Sequence, residues 1–582
     1  MKKKGIFAKK GLAVLMTAAL AAGMLTGCGG SEEGPTKSPA SDGQEAPYYE
    51  NEPEMSAEAP AEEPPEMPSG GSDEAVAEAA EEPWDSAGAA TQNSPYARGE
   101  ANADEYYLPY QSAEPDGEEY EKAEENGFYI TGVQPLSTFS ADVDTASYAN
   151  VRRMIEDGYT LSDINPDAVR PEEFINYFSY DLNYPKRGEM FGVTTEIAPC
   201  PWNEDHQLMM VGMRTEAIDM SEAPDSNLVF LLDVSGSMSD DDKLPLLQES
   251  FKELVNELGE KDTVSIVTYA SGVETVLKGA KGNEKDKICS AIDELYASGG
   301  TNGEGGIQRA YQLAEAYFIK GGNNRVILAT DGDLNIGISE PDELEKLITE
   351  KKENGVYLSV LGFGTGNIKD NNMERLADCG NGNYAYIDSL FEAKKVLVEE
   401  MGSTLLTIAE DVKLQVEFNP DRVNAYRLIG YENRMLEASD FHDDSKDAGE
   451  IGAGHTVIAL YEIIPTGSRD EISLKYQSGS EDSGKSRYSD EFATVSVRYK
   501  EPGKTQSKLK SYVVDEEDFT KAPSDDFVFA SLAAEFAMIL SDSPHKGTAT
   551  LEGIIEEYST LDIHDEYKEE FYYLVRMMAK RQ

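Results

Sequence analysis

Between Asn227 and about Glu410 short apolar runs alternate with amphipathic stretches. The runs Leu228–Leu232, Val264–Tyr269, Val326–Ala329 and Tyr357–Phe363, with a weaker one at Asn383–Ile387, have strand length. Near-continuous apolarity over that length predicts strands buried on both faces. The stretches between them read as helices. In the first, Leu244, Leu247, Phe251, Leu254 and Leu258 recur at spacings of three and four, which puts all five on one face. Another opens with "SEPDE" at Ser339–Glu343 and stops at Asn354-Gly355, a start and a stop of the expected chemistry. Strands alternating with helices predict an α/β fold built on a doubly wound, mostly parallel sheet.

On either side the pattern changes. "DAVRPEEFINYFSY" reads as helical, and "MFGVTTEIAPC" and "QLMMVGM" as strands. Beyond Asp411, "VKLQVEFNP", "NAYRLIGY", "HTVIALYEIIP", "EISLKYQ" and "ATVSVRYK" are strand-like, separated by polar turns. From Ser524 the chain turns helical in "DDFVFASLAAEFAMIL" and "EEFYYLVRMMAK". The flanks therefore predict a β-rich domain with C-terminal helices. At 582 residues the chain exceeds a single ordinary core. The division expected is a leader at 1–27, a tether at 28–126, an N-terminal flank at 127–222, the α/β domain at 223–410 and a C-terminal domain at 411–582.

The leader and tether are read from composition. "MKKKGIFAKK" carries five lysines and precedes the short apolar run "GLAVLMTAALAAGML". Leu25-Thr26-Gly27-Cys28 then resembles the lipobox of bacterial lipoproteins, which implies cleavage before Cys28, lipidation of that cysteine and an extracytoplasmic, membrane-anchored protein at the cell surface or in the periplasm. From Ser31 to about Asn126 the chain is rich in Glu, Pro, Ala, Gly and Ser, with Lys37, Arg98 and Lys122 as its basic residues. Such a segment cannot bury enough apolar surface to offset its ordering entropy, so a disordered linker is expected. As a random coil it spans about 50–60 Å.

Charge narrows the partners. With 51 Lys+Arg against 110 Asp+Glu the formal net charge is −59. Loss of the leader removes five lysines and no acid, which deepens it. A surface of that sign repels nucleic acid and anionic lipid headgroups, leaving the lipid at Cys28 as the expected membrane contact. Four cysteines are present. With Cys28 lipidated, Cys200, Cys289 and Cys379 allow at most one disulfide. Cys289 shares a helical stripe with Ile288, Ile292 and Leu295 and reads as a buried thiol.

The strand Leu228–Leu232 runs into Asp233-x-Ser235-x-Ser237, and "LATDGD" puts Asp331 at the end of a later strand. In a sheet ordered 3-2-1-4-5-6 these two strands are neighbours flanking the switch point, where ligands bind. The glycines of "ASGGTNGEGG" let Thr301 approach the same edge closely. Two carboxylates and three hydroxyls are hard oxygen donors. With no histidine or cysteine among them they favour Mg²⁺ or Mn²⁺ over zinc. Taken singly, each residue also suits a helix cap or a turn.

On these residues, 227–410 resembles a von Willebrand factor type A domain with a complete metal-ion-dependent adhesion site (MIDAS). "FSADVDTASYANVRRMI", "VRPEEFINYF", "YRLIGYENR" and "DAGEIGAGH" resemble the flanks of bacterial YfbK-like lipoproteins, so the likeness covers about 128–582. The resemblance implies metal-dependent binding of a protein partner that offers an acidic side chain to the metal, an adhesion or interaction role without enzymatic turnover. An envelope assembly factor that uses the metal for stability is the alternative. A metal-dependent hydrolase is disfavoured because no nucleophile–base pair accompanies the cluster. Asp240 and Asp241 follow Asp233 as in integrin β subunits, where a second cation binds; they also suit an acidic helix start. "GFGTGN" reads as a strand-end turn, and His455 as a packing or turn residue. The last helix of the domain, about Leu390–Ile408, leads directly into the C-terminal strands, so a shift of it would couple the metal site to the flank.

Overall fold

The computed structural model describes residues 117–218, 223–332, 341–472 and 488–581. The N-terminal flank runs β1 (Tyr129–Ile130), β2 (Leu136–Ser140), α1 (Ala146–Glu156), α2 (Pro171–Asn176), β3 (Phe191–Pro199) and β4 (Gln207–Thr215). The α/β region begins with β5 (Ser226–Asp233), α3 (Leu244–Glu257), β6 (Thr263–Tyr269), β7 (Val273–Lys281), α4 (Lys285–Asp293) and α5 (Gly303–Ala316). It continues through β8 (Asn323–Thr330), α6 (Pro341–Glu353), β9 (Tyr357–Phe363), α7 (Asp370–Cys379) and β10 (Tyr384–Ile387), then α8 (Leu390–Lys394), a π turn at Lys395–Glu399 and α9 (Met401–Leu405). The C-terminal strands are β11 (Thr407–Phe418), β12 (Val423–Leu428), β13 (Gly449–Gly452), β14 (Thr456–Pro465), β15 (Glu491–Lys500) and β16 (Lys508–Asp515). They are followed by α10 (Asp525–Leu540), α11 (Leu551–Tyr558) and α12 (Glu566–Ala579).

The central sheet has the order β10-β9-β8-β5-β6-β7, the doubly wound arrangement the sequence predicts. β5 pairs in parallel with β6 and with β8, and the pairing Leu232↔Ala329 brings the carboxyl ends of β5 and β8 to the same edge. Side chains of β5 alternate between two helix layers. Leu228, Phe230 and Leu232 pack with Leu247, Phe251 and Leu254 of α3, and Val229 and Leu231 with Ile307 and Tyr311 of α5. The apolar run needs no alternation because both faces are buried. The Phe230 and Phe251 rings meet edge-on, 4.7 Å apart.

Two elements differ from the expectation. β7 is an edge strand antiparallel to β6. It hides no continuous apolar run because its outer positions face solvent, and Leu277 and Ala280 are its buried apolar residues. The expected helix over Leu390–Ile408 is interrupted by the π turn and ends at Leu405. Thr407 already pairs with Gly452 of β13, so strand hydrogen bonding takes over the backbone there.

The two flanks interleave. One sheet runs β1-β12-β14-β4-β3 and another β13-β11-β15-β16, with β2 also on β11. Phe139, Met209, Val211, Leu414, Val416, Tyr461, Val495 and Val497 share one apolar cluster, so residues on both sides of the α/β region bury one core. α10 is apolar over most of its surface and correspondingly enclosed, with Ser531 and Glu535 buried in it, and packs with residues of α1, α2, α11 and α12. Residues 117–126, expected within the tether, are fixed on this body. Glu119 N donates to the Ile368 carbonyl at 2.9 Å, and Asn126 Nδ2 to that of Gly430 at 2.8 Å. Backbone and side-chain bonds to partners distant in sequence hold the segment, which composition cannot register. The leader, Cys28 and most of "EISLKYQ" lie outside the described residues. Among the described residues no helix is long and apolar enough to cross a membrane.

Candidate metal site

β5 delivers Asp233 to its carboxyl end with the side chain fully buried. Two donors hold its carboxylate. The Ser235 backbone N–H donates to Asp233 Oδ1 at 2.9 Å, and Thr330 Oγ1 donates to Asp233 Oδ2 at 3.1 Å. Ser235 Oγ and Ser237 Oγ are 3.0 Å apart. Burial, with the negative charge of Asp331 adding to it, pushes the Asp233 carboxyl up to about 6 against the hydrogen bonds from Ser235 and Thr330. The Tyr269 phenol beside it is pushed well up by burial and by the Asp233 charge.

Asp331 follows β8 and is buried. Lys243, the residue before α3, lays its ammonium on Asp331 Oδ2 at 3.1 Å, with both side chains buried. The Ser235–Ser237 turn is clamped from the side: Gly236 N donates to the Gly299 carbonyl at 3.0 Å, and Ser298 N to that of Val234 at 2.8 Å. A Cβ at position 236 would stand 3.2 Å from that Gly299 oxygen, so the approach suits glycine. Thr301 lies two residues past the clamp and is half-buried; among the described residues its hydroxyl forms no hydrogen bond. The fold thus brings Asp233, Ser235, Ser237, Asp331 and the Thr301 loop to one edge of the sheet. Asp240 and Asp241 are exposed, and among the described residues neither carboxylate has a hydrogen-bond or ion-pair partner.

The donor chemistry fits a hard divalent cation. Adjacent corners of an octahedron with bonds of about 2.0–2.1 Å are about 2.9 Å apart, which matches the separation of the two serine hydroxyls. Both carboxylates have second contacts: the Thr330 hydroxyl orients Asp233 as ligand-orienting groups do, whereas the Lys243 ammonium offsets the charge of Asp331. Two of those contacts, from Thr330 and Lys243, were not singled out in the sequence. Thr330 directly precedes Asp331 and was legible as part of the same turn. Lys243 had no signal beyond a cation at a helix start, where acids are preferred.

A second acidic group lies elsewhere. Oxygens of Asp142, Asp144 and Asp378 fall within 4.8 Å of one another. Arg434 stands among them, 2.9 Å from Asp144, 3.0 Å from Asp378 and from Glu374, and 3.7 Å from Asp142. Burial pushes Asp142 up to about 7. This is an ion-pair network at the seam between α7 and the flank. Cys200, Cys289 and Cys379 are free thiols; Cys200 is buried, while Cys289, expected in the core, is half-buried on its helix.

Comparison with known proteins agrees with this architecture. Residues 227–400 match the model of the von Willebrand factor type A domain, residues 114–210 one described as von Willebrand factor, and residues 403–580 that of the C-terminal region of the uncharacterized protein YfbK. The chain therefore carries a von Willebrand factor type A domain. It belongs to the YfbK family: it is 42% identical over 440 residues to the uncharacterized protein YfbK of Escherichia coli, covering 74% of this chain and 76% of that protein. Inter-alpha-trypsin inhibitor heavy chain H4 of Sus scrofa is 30% identical over 152 residues, 24% of this chain and 16% of that protein. Among solved structures, a von Willebrand factor type A protein from Catenulispora acidiphila aligns at 15% identity and TM-score 0.37, covering 69% of this chain and 91% of that one. The ArnB paralog VWA2 of Sulfolobus acidocaldarius aligns at 14% and 0.32, covering 67% and 98%. Domains of this type generally mediate protein–protein interaction or adhesion and usually bind Mg²⁺ or Mn²⁺ at their adhesion site.

Proposed function

We propose that this protein is a lipid-anchored surface or periplasmic protein that captures an acidic side chain of a protein partner through a divalent cation, without turnover. Asp233, Ser235, Ser237, Thr301 and Asp331 are the residues that hold Mg²⁺ or Mn²⁺. The cation, when bound, supplies a Lewis-acidic position for a carboxylate. The residues themselves fix its place: Ser235 N–H and Thr330 orient Asp233, Lys243 orients Asp331, and the Gly299 clamp sets the serine turn. The observation that carries the reading is the convergence of Asp233 and Asp331 at adjacent strand ends beside two hydroxyls spaced for neighbouring ligand positions. A chain of formal charge −59 repels acidic partners at large, so a local cation is what makes a carboxylate ligand acceptable. In this reading Cys28 is the lipid anchor and the acidic segment after it is a linker.

The test is recovery of partners from the native cell surface with the full chain, with and without Mg²⁺, and with Asp233→Ala. Partners held by the wild type with Mg²⁺ and lost in both other arms support metal-dependent capture. Partners that persist in all arms favour the assembly role.

A further inference from the structure

Lys243 stands at the metal site without belonging to the donor set. Its side chain is buried, as is that of Asp331, and its ammonium lies 3.1 Å from Asp331 Oδ2. The stem is seated by the turn after β9: Gly364 has φ +71, and a Cβ there would stand 2.2 Å from Lys243 Cγ and 2.5 Å from Cε. Any larger residue at 364 would therefore displace the lysine. The backbone ties are equally definite, with Lys243 N donating to the Asp240 carbonyl at 3.0 Å and Leu247 N to the Lys243 carbonyl at 2.8 Å. A buried ammonium fixed at both ends is a constant of the site and not a passing surface contact.

We infer that Lys243 is the residue that makes this site select an anionic ligand; the inference rests on the metal-binding reading above. Charge counting gives the reason. Asp233 and Asp331 against Lys243 leave one negative charge in a buried pocket. A divalent cation turns that into one positive charge, and a carboxylate from the partner brings the set to neutrality. Without the lysine, the two carboxylates and the cation are neutral already, and an incoming carboxylate leaves an uncompensated negative charge in a medium that penalises it. Lys243 thus weakens the cation taken alone and strengthens the cation taken together with an acid. It is a specificity-determining residue acting through Asp331, and it couples metal to ligand.

The experiment is a titration of Mn²⁺ into the full chain, with sodium acetate or sodium chloride at equal ionic strength, for wild type, Lys243→Met, Lys243→Arg and Asp233→Ala. Wild type and Lys243→Arg are expected to bind Mn²⁺ several-fold more tightly in acetate than in chloride. Lys243→Met is expected to bind Mn²⁺ in chloride at least tenfold more tightly than wild type, with no gain from acetate. A purely structural lysine would move stability without changing the acetate dependence. Lys243→Met binding Mn²⁺ no more tightly than wild type, or keeping the acetate gain, overturns the inference. So does a wild type indifferent to acetate, a result that needs no variant to fold. Asp233→Ala that binds Mn²⁺ like the wild type overturns the underlying metal site instead, and is read separately from the lysine arms.

Discussion

Arg152 of α1 and Glu392 of α8 pair at 2.8 Å with both side chains buried. The same guanidinium holds Asp388 at 2.6 Å and Glu570 of α12 at 3.0 Å, and Tyr177 Oη donates to Glu392 at 2.6 Å. One arginine therefore joins the N-terminal flank, the α/β domain and the last helix. Removing it strands buried carboxylates without their guanidinium partner, which costs about 3–5 kcal/mol. Arg152→Ala should lose that much in chemical denaturation. Arg152→Lys keeps the charge but not the planar fork and should fall between the two. An Arg152→Ala protein as stable as the wild type would mean the flank is held by apolar packing alone.

Glu535 sits in α10 at 6% exposure. Burial, with the charge of Glu557 adding to it, pushes its carboxyl up to about 7. An acid whose folded value exceeds its unfolded one keeps its proton preferentially in the folded state. Its contribution is complete below the unfolded value of about 4.3 and falls by about 1.4 kcal/mol per pH unit until about 7. Glu535→Gln should therefore be more stable than wild type at pH 8, with the advantage shrinking as the pH drops to 5. Denaturation midpoints of both proteins across pH 5–8 read the difference, which cancels the other buried acids.

Thr330 donates to Asp233 Oδ2 at 3.1 Å. Loss of a residue that orients a metal ligand typically costs 10–100-fold in affinity. Thr330→Val should weaken Mg²⁺ binding by about that factor while the folded protein persists. Unchanged Mg²⁺ affinity would show that Asp233 needs no such support.

Phe251 and Phe230 form the central contact between α3 and β5, their rings 4.7 Å apart. Phe251→Ala opens a cavity between α3 and β5 and should cost about 3–5 kcal/mol, seen as a lowered denaturation midpoint.

What was legible follows from what burial does to sequence. Leu244, Leu247, Phe251, Leu254 and Leu258 had to share a face because α3 buries one stripe, and all five are buried. The strands of the central sheet showed because both of their faces are covered. β7 did not show, since an edge strand in water carries Glu274 and Lys278 among its apolar positions. The strands β1 (Tyr-Ile) and β13 (Gly-Glu-Ile-Gly) carry no apolar run of strand length. Residues 117–126 were hidden for another reason: the Glu119 N–H and the Asn126 side chain bond to the Ile368 and Gly430 carbonyls, and partners so distant in sequence leave no trace in composition. At the site, Asp233, Ser235, Ser237 and Asp331 were readable from their spacing and strand ends. Lys243 was not, because its role depends on the Gly364 turn, which lies far away in sequence and packs against it.

The most direct test of the central claim is calorimetric titration of Mg²⁺ and Mn²⁺ into the full chain, alongside Asp233→Ala and Asp331→Ala. Saturable binding of one cation at the site in the wild type, abolished in each variant while both remain folded, is the predicted result. A wild type silent toward both ions, or variants that bind as it does, would contradict it.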